Sequence, residues 1–322
     1  MKTIRWGVLS TGRIAHQFAE DFAFVERGEI VGATSRTLAN ARAYAKRHGI
    51  DTVYPTYQAL LADSAIDAVY IATPHSLHLE NTLAAIDAGK SVLCEKPLTT
   101  NAADCQRILA AARECSVFVM EAMWTWFLPA IRQAKRWLDE GRIGKLVRIK
   151  ADFGYPQRPY HPKRREFDAG LGGGALLEMG IYPIALLWLV LGRQPDRLEV
   201  VSKHAPNGVE DDLGVLLDYG DVIATIGTSF RCKLQNWAYL IGEDGYIAIP
   251  DFWRARECRL FELDALKDQF TDGRASIGLN FETQAAIDDL LAGKTESAVV
   301  SLSDSLAFQQ TMRMIRSRLD MR

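Results

Sequence analysis

A regular alternation of short apolar runs and helix-forming segments fills the first 122 residues, and no other feature of this sequence limits its fold as strongly. Runs such as 4–10 (IRWGVLS) and 68–73 (AVYIAT) have the length and continuous apolar character of strands buried on both faces. Strands that alternate with helices form parallel sheets with helices on both faces. We therefore predict a doubly wound α/β domain with a parallel sheet over residues 1–122.

The pattern changes after this first domain, where turns typical of hairpins join the strands. Hairpins connect antiparallel strands, so we predict an α+β domain over residues 123–322 with a large, mostly antiparallel open sheet. A chain of 322 residues is long enough for two such domains. We predict a helix at 129–141, a strand at 146–153 and a helix at 175–191. A region of strands at 197–264 and two closing helices at 281–292 and 303–318 follow.

Composition excludes several classes of protein. The net charge of −2 offers no electrostatic basis for binding nucleic acid or an anionic membrane. The apolar stretch 181–191 is too short to cross a bilayer, and the first residues lack the apolar core of a signal peptide. The five cysteines are scattered and never spaced as CxxC, which favours reduced thiols and argues against zinc. We expect a cytoplasmic protein without a metal.

The turn between the first strand and the first helix carries most of a dinucleotide-binding fingerprint. In the pattern G-x-G-x-x-G/A the aligned residues are Ser10, Gly12 and Ala15, so serine replaces the first glycine. Gly12 lets the backbone approach a pyrophosphate, whose charge the helix N-terminus favours. Such a turn is also common as plain structure. The predicted domain is a Rossmann domain whose cofactor-binding turn consists of Ser10, Thr11, Gly12, Arg13 and Ile14.

The residues after the second strand predict which dinucleotide binds. An NAD-binding domain usually places an acidic residue here to hold the ribose hydroxyls, but this chain has Ser35, Arg36 and Thr37. An arginine can bind a phosphate through two parallel hydrogen bonds, and hydroxyl groups can donate to it as well. We predict NADP, with NAD as the alternative, and place Arg13 near the same phosphate. Arg36 can also be an ordinary solvated residue.

Polar residues also follow the strand at 68–73. Thr73 and Pro74 are predicted to line the nicotinamide ribose with backbone atoms, and His78 to begin the next helix beside it. The spacing of His75 and His78 suggests a metal at first sight. No carboxylate or thiol in this segment completes a ligand set, so we expect cofactor contacts instead.

Glu95, Lys96 and Pro97 follow the next buried strand, at the sheet edge where ligands bind, and we predict that Glu95 and Lys96 contact the cofactor. In the second domain a glycine-rich turn opens the helix that holds Glu178 and Tyr182. A tyrosine pKa is normally near 10. A nearby ammonium lowers it, which makes Lys96 and Tyr182 a candidate acid/base pair. The alternatives are a surface lysine and a tyrosine that only packs.

These segments resemble the Gfo/Idh/MocA oxidoreductase family over nearly the whole chain, through WGVLSTGRIA, IATPHSLHLENTLAAIDAGKSVLCEKPL, MEAMWTWFLPA and FDAGLGGGALLEMGIYPI. Within the family, the tyrosine at position 182 makes the chain similar to the branch of dimeric dihydrodiol dehydrogenases and NADP-dependent sugar dehydrogenases. The resemblance implies that Lys96 and Tyr182 carry the proton transfer and that the Lys96–Pro97 peptide is cis. It also implies a homodimer that forms through the open sheet of the second domain.

Two departures from the family pattern concern the substrate pocket. Glu178 stands where the family has an aspartate, and Trp126 stands where the branch often has an arginine. We expect Trp126 to make the pocket more apolar or better suited to stacking, together with Trp124. The residues predicted to contact substrate are Trp124, Phe153, Tyr155, Arg165 and Glu178.

The function expected is hydride transfer between NADP and a carbinol carbon of a small polyol, such as a sugar, an anhydrosugar or a cyclic vicinal diol. One alternative is a glycoside-cleaving enzyme that keeps its NAD(P) tightly bound and oxidises its substrate transiently. Another is a non-catalytic regulator that responds to NADP, which the presence of both Lys96 and Tyr182 disfavours. A role like that of biliverdin reductase finds no special support in these motifs.

Overall fold

The computed structural model describes residues 2–319, and these form two compact units. The first unit contains the chain up to Trp124 together with Ala275–Leu306. The second unit contains Thr125–Arg274 and the chain from Ala307 onward. Residues 275–306, which the sequence analysis assigned to the second domain, thus group with the first unit.

The first unit is built around a six-stranded parallel sheet in the order β3-β2-β1-β4-β5-β6. This is the doubly wound α/β sheet that the alternation of strands and helices predicts, so that prediction is confirmed. The strands are β1 (Ile4–Leu9), β2 (Gly28–Thr34), β3 (Thr52–Tyr54), β4 (Ala68–Ile71), β5 (Ser91–Glu95) and β6 (Val119–Ala122). The helices are α1 (Arg13–Asp21), α2 (Leu38–His48), α3 (Tyr57–Leu61), α4 (His78–Asp87) and α5 (Ala102–Cys115).

The central strands of this sheet are buried on both faces, which explains their continuous apolar sequences. Their register aligns Leu9 with Thr34 and Ile71, and Ile71 with Cys94. The polar segments that follow these strands therefore all emerge at one edge of the sheet. In sheets of this kind ligands bind at that edge.

The second unit contains an eight-stranded sheet in the order β14-β13-β12-β11-β7-β10-β9-β8. All neighbouring strands are antiparallel except β7 and β10, so the prediction of a mostly antiparallel sheet is confirmed. The strands are β7 (Leu146–Gly154), β8 (Arg197–His204), β9 (Glu210–Asp218), β10 (Ile223–Ser229), β11 (Ala238–Gly242), β12 (Tyr246–Ile249), β13 (Glu257–Glu262) and β14 (Ala265–Thr271). The helices before and after β7 are α6 (Pro129–Asp139) and α7 (Ile181–Leu191).

The segment before α7 departs from the regular helix predicted over 175–191. Leu176–Gly180 form a π-helical turn, so that Glu178 lies in this turn and Tyr182 in the first turn of α7. Turns of this kind often occur at functional sites. By length and composition Ala169–Leu191 could cross a membrane, but 72% of its apolar window is buried inside the protein, as in a core helix.

Two helices complete the chain, α8 (Leu279–Leu291) and α9 (Leu302–Leu319), and the division between the units falls within α9. The Asp21 carboxylate at the end of α1 accepts the backbone amides of Ile277, Gly278 and Leu279 at 2.9, 2.8 and 2.8 Å. A carboxylate favours the N-terminus of a helix because the first amides there lack partners. This contact explains why 275–306 belongs to the first unit.

Candidate active site

The turn after β1 has the geometry of a phosphate-binding loop. Ser10 has a φ of 79°, in the left-handed region that glycine adopts more easily, and its amide donates to the Thr34 carbonyl at 3.0 Å. A Cβ atom on Gly12 would meet no heavy atom within 4 Å, so this glycine faces open space at the start of α1. Within residues 2–319 no side chain caps α1. Its first amides are therefore open to an anion, and the turn fits a dinucleotide pyrophosphate.

Residues at the end of β2 lie beside this turn. The Thr11 hydroxyl donates to the Ser35 hydroxyl at 3.0 Å, which joins the two loops. Arg36 and Arg13 are exposed, and in the part of the chain that the structure describes neither forms an ion pair. The Thr37 side chain caps α2 by accepting the Asn40 amide at 3.3 Å. Arg13 and Arg36, two exposed cations, thus belong to the two loops that the Thr11–Ser35 hydrogen bond joins.

His78 begins α4 as predicted, but its ring is fully buried. Its Nδ1 lies 2.8 Å from the Pro97 carbonyl and its Nε2 2.9 Å from the Thr73 carbonyl. A carbonyl only accepts, so both bonds form together when each ring nitrogen carries a proton. The imidazole therefore joins the loop after β4, which includes Pro74, to the loop after β5. Its predicted contact with the cofactor stays a prediction.

Lys96 is half-buried at the end of β5, in a backbone segment held on both sides. His78 binds the Pro97 carbonyl on one side, and Glu121 Oε1 accepts the Leu98 amide at 2.8 Å on the other. The Lys96–Pro97 peptide is cis, which confirms what the family resemblance implies. Two buried ionisable side chains thus fix the path of the chain directly after Lys96.

Buried carboxyl groups surround this segment, and the sequence analysis singled out only Glu95. Glu95 Oε1 accepts the Tyr70 hydroxyl at 2.5 Å. Burial raises the pKa of Glu121 to about 7, although the Lys96 ammonium opposes this shift. Burial also raises the pKa of Glu282, on α8, well above its usual value, and the Glu95 carboxylate adds to the effect. The one sequence signal for Glu121 is a charge inside an otherwise apolar strand, and Glu282 has none.

Tyr182, in the second unit, is only 6% exposed and lies among other aromatic rings. The Phe153 ring meets it edge-on with centroids 5.3 Å apart, and Trp253 lies 6.1 Å from it. Phe153 stacks on Trp253 at 4.7 Å, and Tyr155 meets Phe153 edge-on at 6.0 Å. We call Phe153, Tyr155, Tyr182 and Trp253 the aromatic cluster. It brings together two predicted substrate residues and Tyr182, and it adds Trp253, which the sequence analysis missed.

Arg165 and Glu178 form a two-pronged ion pair. Arg165 Nη1 donates to Glu178 Oε2 at 2.9 Å, and Nη2 donates to Oε1 at 2.7 Å. Gly173 lets the backbone pass close to the Arg165 peptide, because a Cβ there would stand 2.8 Å from the Arg165 carbonyl oxygen. The pair fixes the loop before α7, whereas direct contact of either residue with substrate stays a prediction.

Trp124 and Trp126 are both buried. Trp126 Nε1 donates to the Ala185 carbonyl at 3.2 Å, and its ring meets Phe308 edge-on at 5.5 Å. Trp126 therefore packs on α7 in the core of the second unit. The expectation that it makes the pocket more apolar or better suited to stacking stays a prediction. Within residues 2–319 no three His, Cys, Asp or Glu side chains are grouped to hold a metal ion.

Comparison with known families agrees with this description. Residues 4–123 match the model of the oxidoreductase family with an NAD-binding Rossmann fold. Residues 131–248 match the model of the GFO/IDH/MocA C-terminal domain. The class is that of the NAD(P)-dependent dehydrogenases that act on CH–OH groups. Within it, the chain belongs to the GFO/IDH/MocA oxidoreductase family, which confirms the resemblance read from the motifs.

Individual relatives match over almost the full length. A trans-1,2-dihydrobenzene-1,2-diol dehydrogenase of Danio rerio is 33% identical over 96% of this chain and 95% of its own. A 3-ketoreductase from Actinomadura kijaniata, solved with NADP and TDP-benzene, is 29% identical, covers 98% of both chains and has a TM-score of 0.86. A levoglucosan dehydrogenase solved with NADH and levoglucosan shares the fold, with a TM-score of 0.89, 18% identity, and coverage of 99% of this chain and 98% of its own.

Proposed function

We propose that this protein is an NADP-dependent dehydrogenase that acts on a carbinol carbon of a small polyol, such as a sugar, an anhydrosugar or a cyclic vicinal diol. The observation that carries the proposal is the setting of Lys96. A lysine stands at the ligand-binding edge of a parallel sheet, and His78 and Glu121 hold the peptide groups directly after it. The names of the relatives, which are diol and sugar oxidoreductases, support the substrate class.

Lys96 and Tyr182 divide the work on the substrate. The bound nicotinamide supplies the carbon that accepts or donates the hydride. Tyr182 takes the proton of the substrate hydroxyl during oxidation and returns it during reduction. Tyr182 accepts this proton as a phenolate and becomes a neutral phenol, and the phenolate forms again when the proton is returned. The Lys96 ammonium stabilises the phenolate and binds the same hydroxyl oxygen. Phe153 and Trp253 pack on the Tyr182 ring and exclude water around it.

Three residues favour NADP over NAD. Arg36 and Arg13 are exposed cations without carboxylate partners among residues 2–319, and Ser35 presents a hydroxyl beside Thr11. A 2′-phosphate satisfies such cations, whereas a ribose hydroxyl needs the acidic residue that this chain lacks here. The relative that is 29% identical was solved with NADP.

A homodimer in the cytoplasm is the proposed state of the enzyme. One face of the eight-stranded sheet exposes Val201, Leu216 and Ile223. On the same face Tyr246 stacks on Phe261 with centroids 4.7 Å apart. Exposed apolar residues on a sheet face are typical of an interface between subunits. The described cysteines are all free, in keeping with a reducing compartment.

A substrate panel tests the proposal. The purified protein is mixed with NADP or NAD and a cyclic vicinal diol, an aldose or an anhydrosugar, and nicotinamide reduction is followed by absorbance. We expect turnover of at least one compound, with a higher kcat/KM for NADP than for NAD. Glycoside cleavage without net nicotinamide reduction would instead favour the glycoside-cleaving alternative. Absence of turnover with every compound and both cofactors would contradict the proposal.

A further inference from the structure

Tyr155 lies at the outer rim of the aromatic cluster. Its ring is 6.0 Å from that of Phe153, which in turn is 5.3 Å from that of Tyr182. Phe153 is buried, whereas Tyr155 is half-buried. A path from the proposed reacting phenol to the surface of the second unit therefore runs along two ring contacts. In this series of contacts the Phe153 ring stands between the ring of Tyr155 and that of Tyr182.

Two cations converge on Tyr155 from different parts of the chain. The Lys233 Nζ lies 4.8 Å from the centroid of the Tyr155 ring. Arg254 Nη2 lies 3.5 Å from the Tyr155 hydroxyl, and its guanidinium stands 4.8 Å over the Trp253 ring. The rings orient these cations through their faces, which attract positive charge. Sequence distance makes this arrangement informative, because Tyr155, Lys233 and Arg254 come together only in the fold.

The charge at this rim is not balanced within the second unit. Lys233 donates to the Leu234 carbonyl at 3.0 Å and forms no ion pair among residues 2–319. Arg254 has one carboxylate partner, Asp251, at 3.5 Å, and both side chains of that pair are about half exposed. The rim formed by Lys233, Arg254 and Asp251 therefore carries a net positive charge.

We propose that the substrate of this enzyme carries an anionic group, a carboxylate or a phosphate, which Lys233 and Arg254 bind while its carbinol lies at Tyr182. This inference rests on the proposed function and makes its substrate class narrower. A planar guanidinium and a mobile ammonium together suit an anion with several oxygens. Tyr155 adds a hydroxyl that donates to the same anion.

The alternative is that both cations only pack on aromatic rings. Cation–ring contacts are common in folded proteins and need no ligand. The two possibilities differ in a measurable way, because packing alone gives no preference between neutral and acidic forms of one sugar.

Binding to the NADP-loaded protein tests the inference without depending on turnover. Dissociation constants are measured by titration calorimetry for glucose, glucuronate and glucose 6-phosphate, which share one ring. We expect at least one acid to bind about tenfold more tightly than glucose, the low end of what a hydrogen bond to a charged group contributes. The two acids distinguish a carboxylate from a phosphate as the preferred group. The preference should weaken as salt is raised, since the rim is exposed.

Variants identify the groups responsible. The double change Lys233→Gln and Arg254→Gln should remove the preference for the acids and leave the affinity for glucose within about twofold. Lys267→Gln is the matched control, because Lys267 is another exposed lysine of this unit, paired with Glu262 on the edge hairpin; it should keep the preference. Equal affinity for glucose and both acids, or no measurable binding of either acid, overturns the inference. The substrate panel decides the proposed function separately, through turnover of neutral polyols.

Discussion

The surroundings of Lys96, in the first unit, and of Tyr182, in the second unit, are built in different ways. Lys96 follows a central strand, and buried groups hold the backbone beside it: His78 binds the Pro97 carbonyl and Glu121 the Leu98 amide. Tyr182 is held by the rings of Phe153 and Trp253, which arrive from β7 and from the turn after β12. Hydrogen bonds thus fix the backbone next to Lys96, whereas the packing of aromatic side chains shapes the surroundings of Tyr182.

Under the proposed function, we expect this difference to separate turnover from substrate choice. Hydrogen bonds to buried backbone groups tolerate little change, because an unsatisfied donor or acceptor costs about 1–3 kcal/mol. Aromatic contacts at a half-buried rim can change while the fold is kept, since packing there is less complete. We therefore expect variants near Lys96 to lower turnover and variants near Tyr155 to alter substrate choice. Variants of Tyr182 should affect both.

The largest expected effect comes from Tyr182→Phe, which removes the hydroxyl and keeps the ring. The contacts with Phe153 and Trp253 remain, so the fold and the affinity for NADPH should be unchanged. Loss of the acid/base group should lower kcat by about 10²–10⁴-fold. Steady-state rates and NADPH fluorescence titration measure the two quantities. Turnover like that of the wild type would show that Tyr182 only packs.

A smaller effect on kcat is expected when the backbone next to Lys96 loses a hydrogen bond. Glu121→Ala leaves the Leu98 amide without its acceptor, and a displaced lysine should lower kcat by about 10–100-fold. Glu121→Gln keeps an oxygen that accepts this amide and should restore most of the loss. The affinity for NADPH, measured alongside, checks that the cofactor turn is intact. If the alanine and glutamine variants were equally active, Glu121 would have no part in positioning Lys96.

The cofactor preference should change by about tenfold. Arg36→Asp places a carboxylate where we propose that the 2′-phosphate binds. The KM for NADP should therefore rise at least about tenfold more than the KM for NAD. Arg42→Asp, on the exposed side of α2, is the matched control and should affect both cofactors little. Parallel KM measurements with the two cofactors give the answer. Equal increases would remove Arg36 from the phosphate site.

The smallest effect is a change in how stability depends on pH. Glu121 has a folded pKa of about 7, above its value in an unfolded chain. The ionisable groups that interact with it include Lys96, Glu95, Glu282, Cys94 and Cys105. Between about pH 4.5 and 7 the folded state binds the extra proton, so stability falls as pH rises through that range. Across this range the raised pKa of Glu121 should lower the melting temperature of the wild type by about 2–6 °C. Glu121→Gln should remove most of this fall. Identical pH profiles would contradict the raised pKa.

Much of the architecture could be predicted from the sequence because its signals are local. The apolar runs of β1 and β4, the turn at Gly12 and the lysine after β5 each lie within a few residues of one another. The contacts that complete the site join distant parts of the chain. Glu121 reaches Leu98 from the next strand, and Trp253 meets Phe153 across about one hundred residues of sequence.

Two features of the fold could not be predicted from the sequence for the same reason. Trp126 stands in a family motif, but its contacts with Ala185 and Phe308 form only in the fold. Residues 275–306 looked like the end of the second domain because they follow its strands. Three hydrogen bonds from their backbone to Asp21 attach them to the first unit instead, and nothing near Asp21 in sequence announces them.

A double-mutant cycle tests most directly whether Lys96 and Tyr182 act as one unit on the same carbinol. Lys96→Met, Tyr182→Phe and the double variant are compared by single-turnover rates with saturating NADP, and NADPH binding is confirmed for each. Residues that act together are not additive, so the double variant should be about as slow as the slower single variant. A double variant whose loss equals the product of the two single losses would contradict a shared role.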